Sequence, residues 1–231
     1  MASALIELKD VSLLLDENLV LSGVTLCIQR GESLGVTGRH GGGLTSFLKL
    51  CAGLLRPTSG SVCRNLPPAG AKARGAGAGF VFESGGLINN LTVFDNVALP
   101  LRYHTPLSEE DIAGKVRAAL VRLNISEYSD VRPARLSLGT RKLASIARAI
   151  AMQPQIIYYD EPLLGLDRAA AQLAESVIQE TRRQGVTSVL VSFDVELLKR
   201  VTDRTILIVD GKIVGVWPED GANPEVRKFF S

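Results

Sequence analysis

What is missing from this 231-residue chain narrows its class before any motif is read. No apolar run approaches the roughly 18 residues needed to span a bilayer, so no membrane helix is expected. The N-terminus, MASALIELKD, has neither a basic leader nor a long apolar stretch and does not read as a secretory signal. The expected location is therefore cytoplasmic, peripheral on an inner or plasma membrane only through a partner. Charge of one sign is scarcely in excess: 26 Lys and Arg against 24 Asp and Glu leave +2. That balance argues neither for a nucleic-acid surface nor for an acidic tail. Only three cysteines occur, Cys27, Cys51 and Cys63, none in a C-x-x-C pair. Each sits among apolar or loop residues and is read as a buried free thiol. No internal repeat is visible, and no linker is long enough to separate domains that fold independently.

What is present is a soluble globular composition, 46% hydrophobic and 22% charged, in a chain long enough to bury a large core. Strand-like runs open it at 4–8 and 19–28, and Gly31 marks a turn. SLGVTG (33–38) reads as a short buried strand. LTSFLKLCAGLL (44–55) places Leu44, Phe47, Leu48, Cys51, Leu54 and Leu55 at helical spacing, and RPTSG (56–60) reads as the turn that ends the helix. Residues 66–79, rich in Pro, Gly and Ala, are expected to be mobile; FVF (80–82) restores a strand. From about 84 to 153 the pattern is mostly helical, with Ser108 a plausible N-cap. Strands return at 155–160, 187–193 and 204–209, with a helix over 168–184 between the first two. Alternating strands and helices imply an α/β fold with a mostly parallel sheet covered on both faces.

Between the buried strand and the first helix lies GRHGGGLTS, residues 38–46. It nearly matches the phosphate loop G-x-x-x-x-G-K-[ST], and it stands in the strand–loop–helix context that motif requires. Gly38 and Gly43 hold the glycine places and Thr45 the hydroxyl place, but Leu44 stands where lysine belongs. Small residues let backbone N–H groups surround phosphate oxygens, and the helix N-terminus adds its positive end. Thr45 is placed to ligate Mg²⁺. Leucine supplies no charge; losing one aimed donor costs about 10²–10³ in rate, roughly 3–4 kcal/mol. Arg39 or His40 offers a substitute charge within the loop, against the plainer reading that both are solvated. Downstream, IIYYDEP (156–162) has the form of a Walker B strand: Asp160 to hold Mg²⁺ through water, Glu161 to orient or deprotonate the attacking water.

Together with LSLGTRKLASIARAIAMQPQIIYYDEPLLGLD (136–167), these motifs make the chain resemble the ATP-binding cassette (ABC) ATPases. The order holds from end to end: FVFE (80–83) at the Q-loop, GLD (165–167) at the D-loop, VSFD (191–194) where the family has V-S-H-D. The resemblance implies one cassette over 1–231. Residues 1–83 and 154–222 would form an α/β core with an antiparallel N-terminal β region, 84–153 a helical subdomain, and 223–231 a tail. It implies ATP and Mg²⁺ as ligands. ATP would meet Gly38, Gly41, Gly43, Thr45 and Ser46 of one chain and Ser137, Gly139 and Asp167 of a second cassette; the metal would meet Thr45, Glu83 and Asp160. Residues 81–104 and NPEVRKFF (223–230) are similar to cassettes of Mla/MCE-type lipid transporters.

The departures gather where the γ-phosphate would lie. Leu44 replaces the lysine, Glu83 the Q-loop glutamine, Leu138 the first glycine of the signature and Phe193 the switch histidine. The aromatic that stacks on adenine has only Leu13 to Leu15 in its place. Asp160, Glu161 and Asp167 remain. The expectation is a transporter cassette of impaired hydrolysis, bound to integral-membrane permease subunits and paired with a second cassette. A heterodimer is favoured, because a homodimer would repeat the fault in both sites. One alternative is an active homodimer in which Arg39 or another residue replaces the lysine; another is a regulatory module that uses no nucleotide. A single cassette without a long charged linker argues against nucleic-acid roles. The exposed part of 84–100 is expected to receive a short cytoplasmic permease helix.

Overall fold

The computed structural model describes residues 4–66 and 77–230, so most of the 66–79 stretch lies outside the described residues. The chain forms two compact units, Met1–Asn65 with Thr187–Ser231, and Leu66–Val186.

In the first unit, β1 (Ala4–Leu15) and β2 (Asn18–Gln29) form an antiparallel hairpin, with Leu8 opposite Leu26 and Leu13 opposite Leu21. Asp16 and Glu17 turn it with φ of 46° and 67°, the left-handed pair that a two-residue hairpin loop needs. The other edge of β1 takes β4 (Ser59–Arg64), completing the order β2-β1-β4. The second sheet of this unit runs β7-β3-β8-β9: β7 (Thr187–Val191), β3 (Ser33–Gly38), β8 (Arg204–Val209) and β9 (Lys212–Trp217). β3 is parallel to both neighbours, and all six of its residues are buried. Gly35 is required there, because a Cβ would stand 2.3 Å from Thr205 Oγ1. α1 (Leu44–Ala52) follows β3, α6 (Val195–Val201) joins β7 to β8, and α7 (Pro224–Phe230) packs Val226 and Phe230 against Leu207 and Trp217.

In the second unit, β5 (Ala78–Val81) and β6 (Ile156–Asp160) pair in parallel. α2 (Val93–His104), α3 (Glu109–Arg122), α4 (Leu138–Ala151) and α5 (Arg168–Arg183) complete it. Thr92 and Ser108 cap α2 and α3, each accepting from the N–H three residues on, so the cap read at Ser108 holds. Buried Asn96 fixes the segment before α2: Oδ1 accepts from Ile88 N at 2.7 Å, and Nδ2 donates to Ile88 O at 3.1 Å and Thr92 O at 2.9 Å.

Three expectations change. The helix read over 44–55 stops at Ala52, because Gly53 takes φ 78° and donates to Leu50 O and Lys49 O. The turn read over 56–60 runs into β4, a polar strand that owes its existence to the open edge of β1. Of the cysteines only Cys51 is buried; Cys27 is half-buried and Cys63, on edge strand β4, is exposed. Burial pushes the Cys51 thiol up to about 12, with Arg64 opposing the rise. The segments α6, β9 and α7 were not read as elements. Among the described residues no helix is long and apolar enough to cross a membrane.

Candidate functional site

The phosphate-type loop lies wholly in the first unit. β3 ends at Gly38, where a Cβ would meet Ile208 O at 2.1 Å. Gly41 and Gly43 are left-handed, with φ of 76° and 83°, and a Cβ on Gly43 would lie 2.8 Å from Val20 O. Gly42 N donates to Arg39 O at 2.9 Å, closing the loop on itself. No side chain caps α1 and no acid stands in its first turn, so its positive end is left for an anion. Thr45 and Ser46 are half-buried on that first turn. Leu44 is not a leucine substituted into the mouth of the loop. It is 4% exposed, and its Cδ2 lies 3.2 Å from the place a Gly38 Cβ would take. The side chain in the lysine place has turned into the core.

Arg39 and His40 are exposed on the same loop. The imidazole of His40 lies over the ring of Phe193, centroids 3.8 Å apart and planes tilted by 33°. Phe193, the residue in the switch-histidine place, thus contacts the phosphate loop through ring stacking. Of the leucines in the adenine-stacking place, Leu13 is buried, while Leu14 and Leu15 are 44% and 38% exposed.

The acids lie in the second unit. Every residue of β6 is buried, which places Asp160 at a strand end with 3% exposure, followed by Glu161 at 8%. Glu161 has φ 46°, a left-handed conformation uncommon outside glycine. Its carbonyl accepts from the Nζ of Lys142 at 2.7 Å. Lys142 is fully buried on α4. Desolvation pushes its pKa below the usual lysine value, opposed by the charges of Glu83, Glu161 and Asp160. Sequence reasoning missed this residue. Its signal was a lysine standing on a helix stripe otherwise filled by Ser145, Ile146 and Ala149, all buried.

Other residues singled out in the sequence have structural duties. Ser137 caps α4, accepting from Thr140 N at 3.0 Å, with its Oγ 2.9 Å from Thr140 Oγ1. Leu138 remains 48% exposed while resting on the D-loop, where a Cβ on Gly165 would meet its Cδ2 at 2.9 Å. Gly139 faces Leu166. Asp167 caps α5 by accepting from Ala170 N at 2.9 Å. Glu83 is exposed just after β5. The structure therefore brings together Glu83, Lys142, Asp160 and Glu161 in one unit, and Thr45 belongs to the other. Carboxylate and hydroxyl oxygens are the hard donors Mg²⁺ takes, and it keeps several ligands from water and phosphate. Among the described residues, no group of three or more His, Cys, Asp or Glu forms a cage for a metal ion by itself.

Comparison with known proteins is specific. The ABC transporter family profile matches residues 21–164. The intermembrane phospholipid transport system ATP-binding protein MlaF of Escherichia coli K12 is 32% identical over 238 residues, covering 98% of this chain and 88% of MlaF. The methionine import ATP-binding protein MetN of Chlamydia pneumoniae is 31% identical over 220 residues, 91% of this chain; the match spans 64% of MetN. Among solved structures, the ATP-binding cassette MJ0796, dimeric in a post-hydrolysis state with ADP and Pi, matches with a TM-score of 0.81 at 28% identity, over 91% of this chain and 97% of that one. The cassette cbiO1 of Clostridium perfringens shares the fold, with a TM-score of 0.76 at 22% identity and 97% and 94% coverage.

Proposed function

Because this chain belongs to the ABC transporter family, we propose that it is the ATP-binding cassette of a membrane transporter and adds little γ-phosphate chemistry of its own. The observation that carries this reading is the packing of Leu44 into the core, 4% exposed, which leaves the loop without the family's cation. The backbone cradle survives: left-handed Gly41 and Gly43 and the uncapped start of α1 still offer N–H groups to phosphate. Thr45 in one unit and Asp160 in the other each offer the hard oxygen that Mg²⁺ takes, and bound Mg²⁺ would neutralise charge on the phosphates. Glu161 would orient water and accept its proton. What is missing is stabilisation of the charge that builds on the leaving phosphoryl group, since Leu44 and Phe193 offer no donor.

Two copies of this chain would build two equally deficient sites. A second, different cassette would escape the fault, binding ATP on its own loop against Ser137 and Gly139 of this chain. The exposed Leu138 would border that shared site. The reading therefore favours a heterodimer on permease subunits. The test is ATP turnover by the assembled complex, wild type against Glu161→Gln. With this chain as the only cassette, the two rates are expected to coincide at background. Ordinary transporter rates in that preparation, abolished by Glu161→Gln, would overturn the reading and favour the active homodimer.

For the cargo, the reading is a lipid. Its support is the alignment with MlaF, over 98% of this chain and 88% of MlaF, together with the resemblance of 81–104 and 223–230 to Mla/MCE-type cassettes. A second reading, an amino acid such as methionine, is favoured by the nearly equal identity to MetN. Mass spectrometry of what co-purifies with the complex separates them.

A further inference from the structure

Lys142 is a fully buried ammonium group, and such a group is retained only where hydrogen bonds and counter-charges offset its desolvation. Its Nζ donates to the backbone, to the carbonyl of Glu161 at 2.7 Å. The same carbonyl accepts from Leu164 N at 3.2 Å, so two donors hold one peptide at the start of the turn that leads to Gly165 and Asp167. Glu161 is the residue that needs holding. A left-handed backbone is disfavoured at a non-glycine position, and it persists where surrounding contacts over-determine it. Asp160, Glu161 and Glu83 supply the counter-charge. Lys142 also stands five places after Ser137, the cap of the same helix α4.

We propose that Lys142 is a positioning residue: its ammonium clamps the Glu161 peptide in the left-handed state, and so ties the helix that begins at Ser137 to the aim of the Glu161 carboxylate. The proposal rests on the reading of Glu161 as the group that handles the attacking water.

The test uses the full chain in its assembled transporter. Lys142→Met keeps the stem and removes the donor, whereas Lys142→Arg keeps a donor and the charge. The first readout is amide hydrogen exchange. Lys142→Met is expected to speed exchange over residues 161–166 by tenfold or more while residues 146–151 of α4 stay within twofold; Lys142→Arg should stay within about threefold throughout. The second readout, in a complex in which Leu44→Lys has restored turnover at this chain's own site, is a kcat lowered at least tenfold by Lys142→Met with KM for ATP within twofold, restored by Lys142→Arg. Exchange over 161–166 equal to wild type in a folded Lys142→Met variant overturns the proposal. Faster local exchange with unchanged kcat upholds the clamp and refutes instead the role given to Glu161. Should Lys142→Met not fold, Lys142→Gln keeps an N–H donor on a shorter stem. Wild-type exchange over 161–166 in that variant supports a donor clamp if Lys142→Ala is fast there, and overturns it if Lys142→Ala is slow.

Discussion

Leucine at position 44 removes a charge from the loop and adds a side chain to the core, and these two effects are separable by experiment. Leu44→Lys restores the family's cation. Its stem can follow the leucine's path only if the ammonium finds the mouth of the loop, since a charge left inside is costly. The expected outcome is a variant less stable by about 1–3 kcal/mol that binds Mg-ATP at least tenfold more tightly, read by thermal melting and calorimetry. A folded variant with unaltered affinity would place the deficiency elsewhere, with Glu83 and Phe193 the next residues to revert. At this scale the motif residues were legible because each is a chemical type at a fixed spacing. The positions of their side chains were not. That Leu44 turns inward and that Phe193 lies under His40 depend on neighbours distant in sequence. Lys142 shows the same limit: its partner is 19 residues away, and nothing local marks the carbonyl it seeks.

Among the elements, a helix cap is a local device, and the one at Ser108 was legible in the sequence. Thr92, Ser108, Ser137, Asp167 and Asp194 each accept from an N–H three residues on. Asp167→Ala should cost about 1 kcal/mol through loss of the α5 cap, lowering the melting temperature by roughly 2–4 °C in a chain of this size. A melting temperature unchanged by that substitution would argue that the carboxylate is free for another task. Elements stabilised from outside were the hardest to read. β4 has the polar sequence SGSVCR, mostly exposed, and becomes a strand because β1 offers it an unpaired edge. β9 and α7 carry the expected apolar spacing in KIVGVW and PEVRKFF. Their significance comes from packing on each other, where Gly215 leaves room for Val226.

At the scale of the whole molecule, the first unit carries the phosphate loop and the switch position, and the second carries the acids, the signature and the face proposed for a permease. That face has a groove of about 300 Å³ lined by Phe80, Phe82, Leu99, Pro100, Tyr103 and Met152. Tyr103 lines that groove and is 79% exposed. The exposed apolar part of 84–100 is small, chiefly Ile88, so a receiving surface on this face would have to extend past the segment expected from sequence to Tyr103. Tyr103→Asp should release the cassette from membranes containing its permease while leaving the melting temperature within about a degree, since little packing is lost. Undiminished association on fractionation would remove this groove as the docking face.

The chain's single tryptophan, Trp217, lies parallel to Phe230, their ring centroids 5.1 Å apart, within the first unit. Indole fluorescence is therefore a private signal of that half of the molecule. It registers the docking of the last helix and is blind to the half that carries the acids. Paired with circular dichroism, which sees both, it turns the question of whether the halves unfold together into a comparison of two curves recorded on one untagged, unlabelled sample.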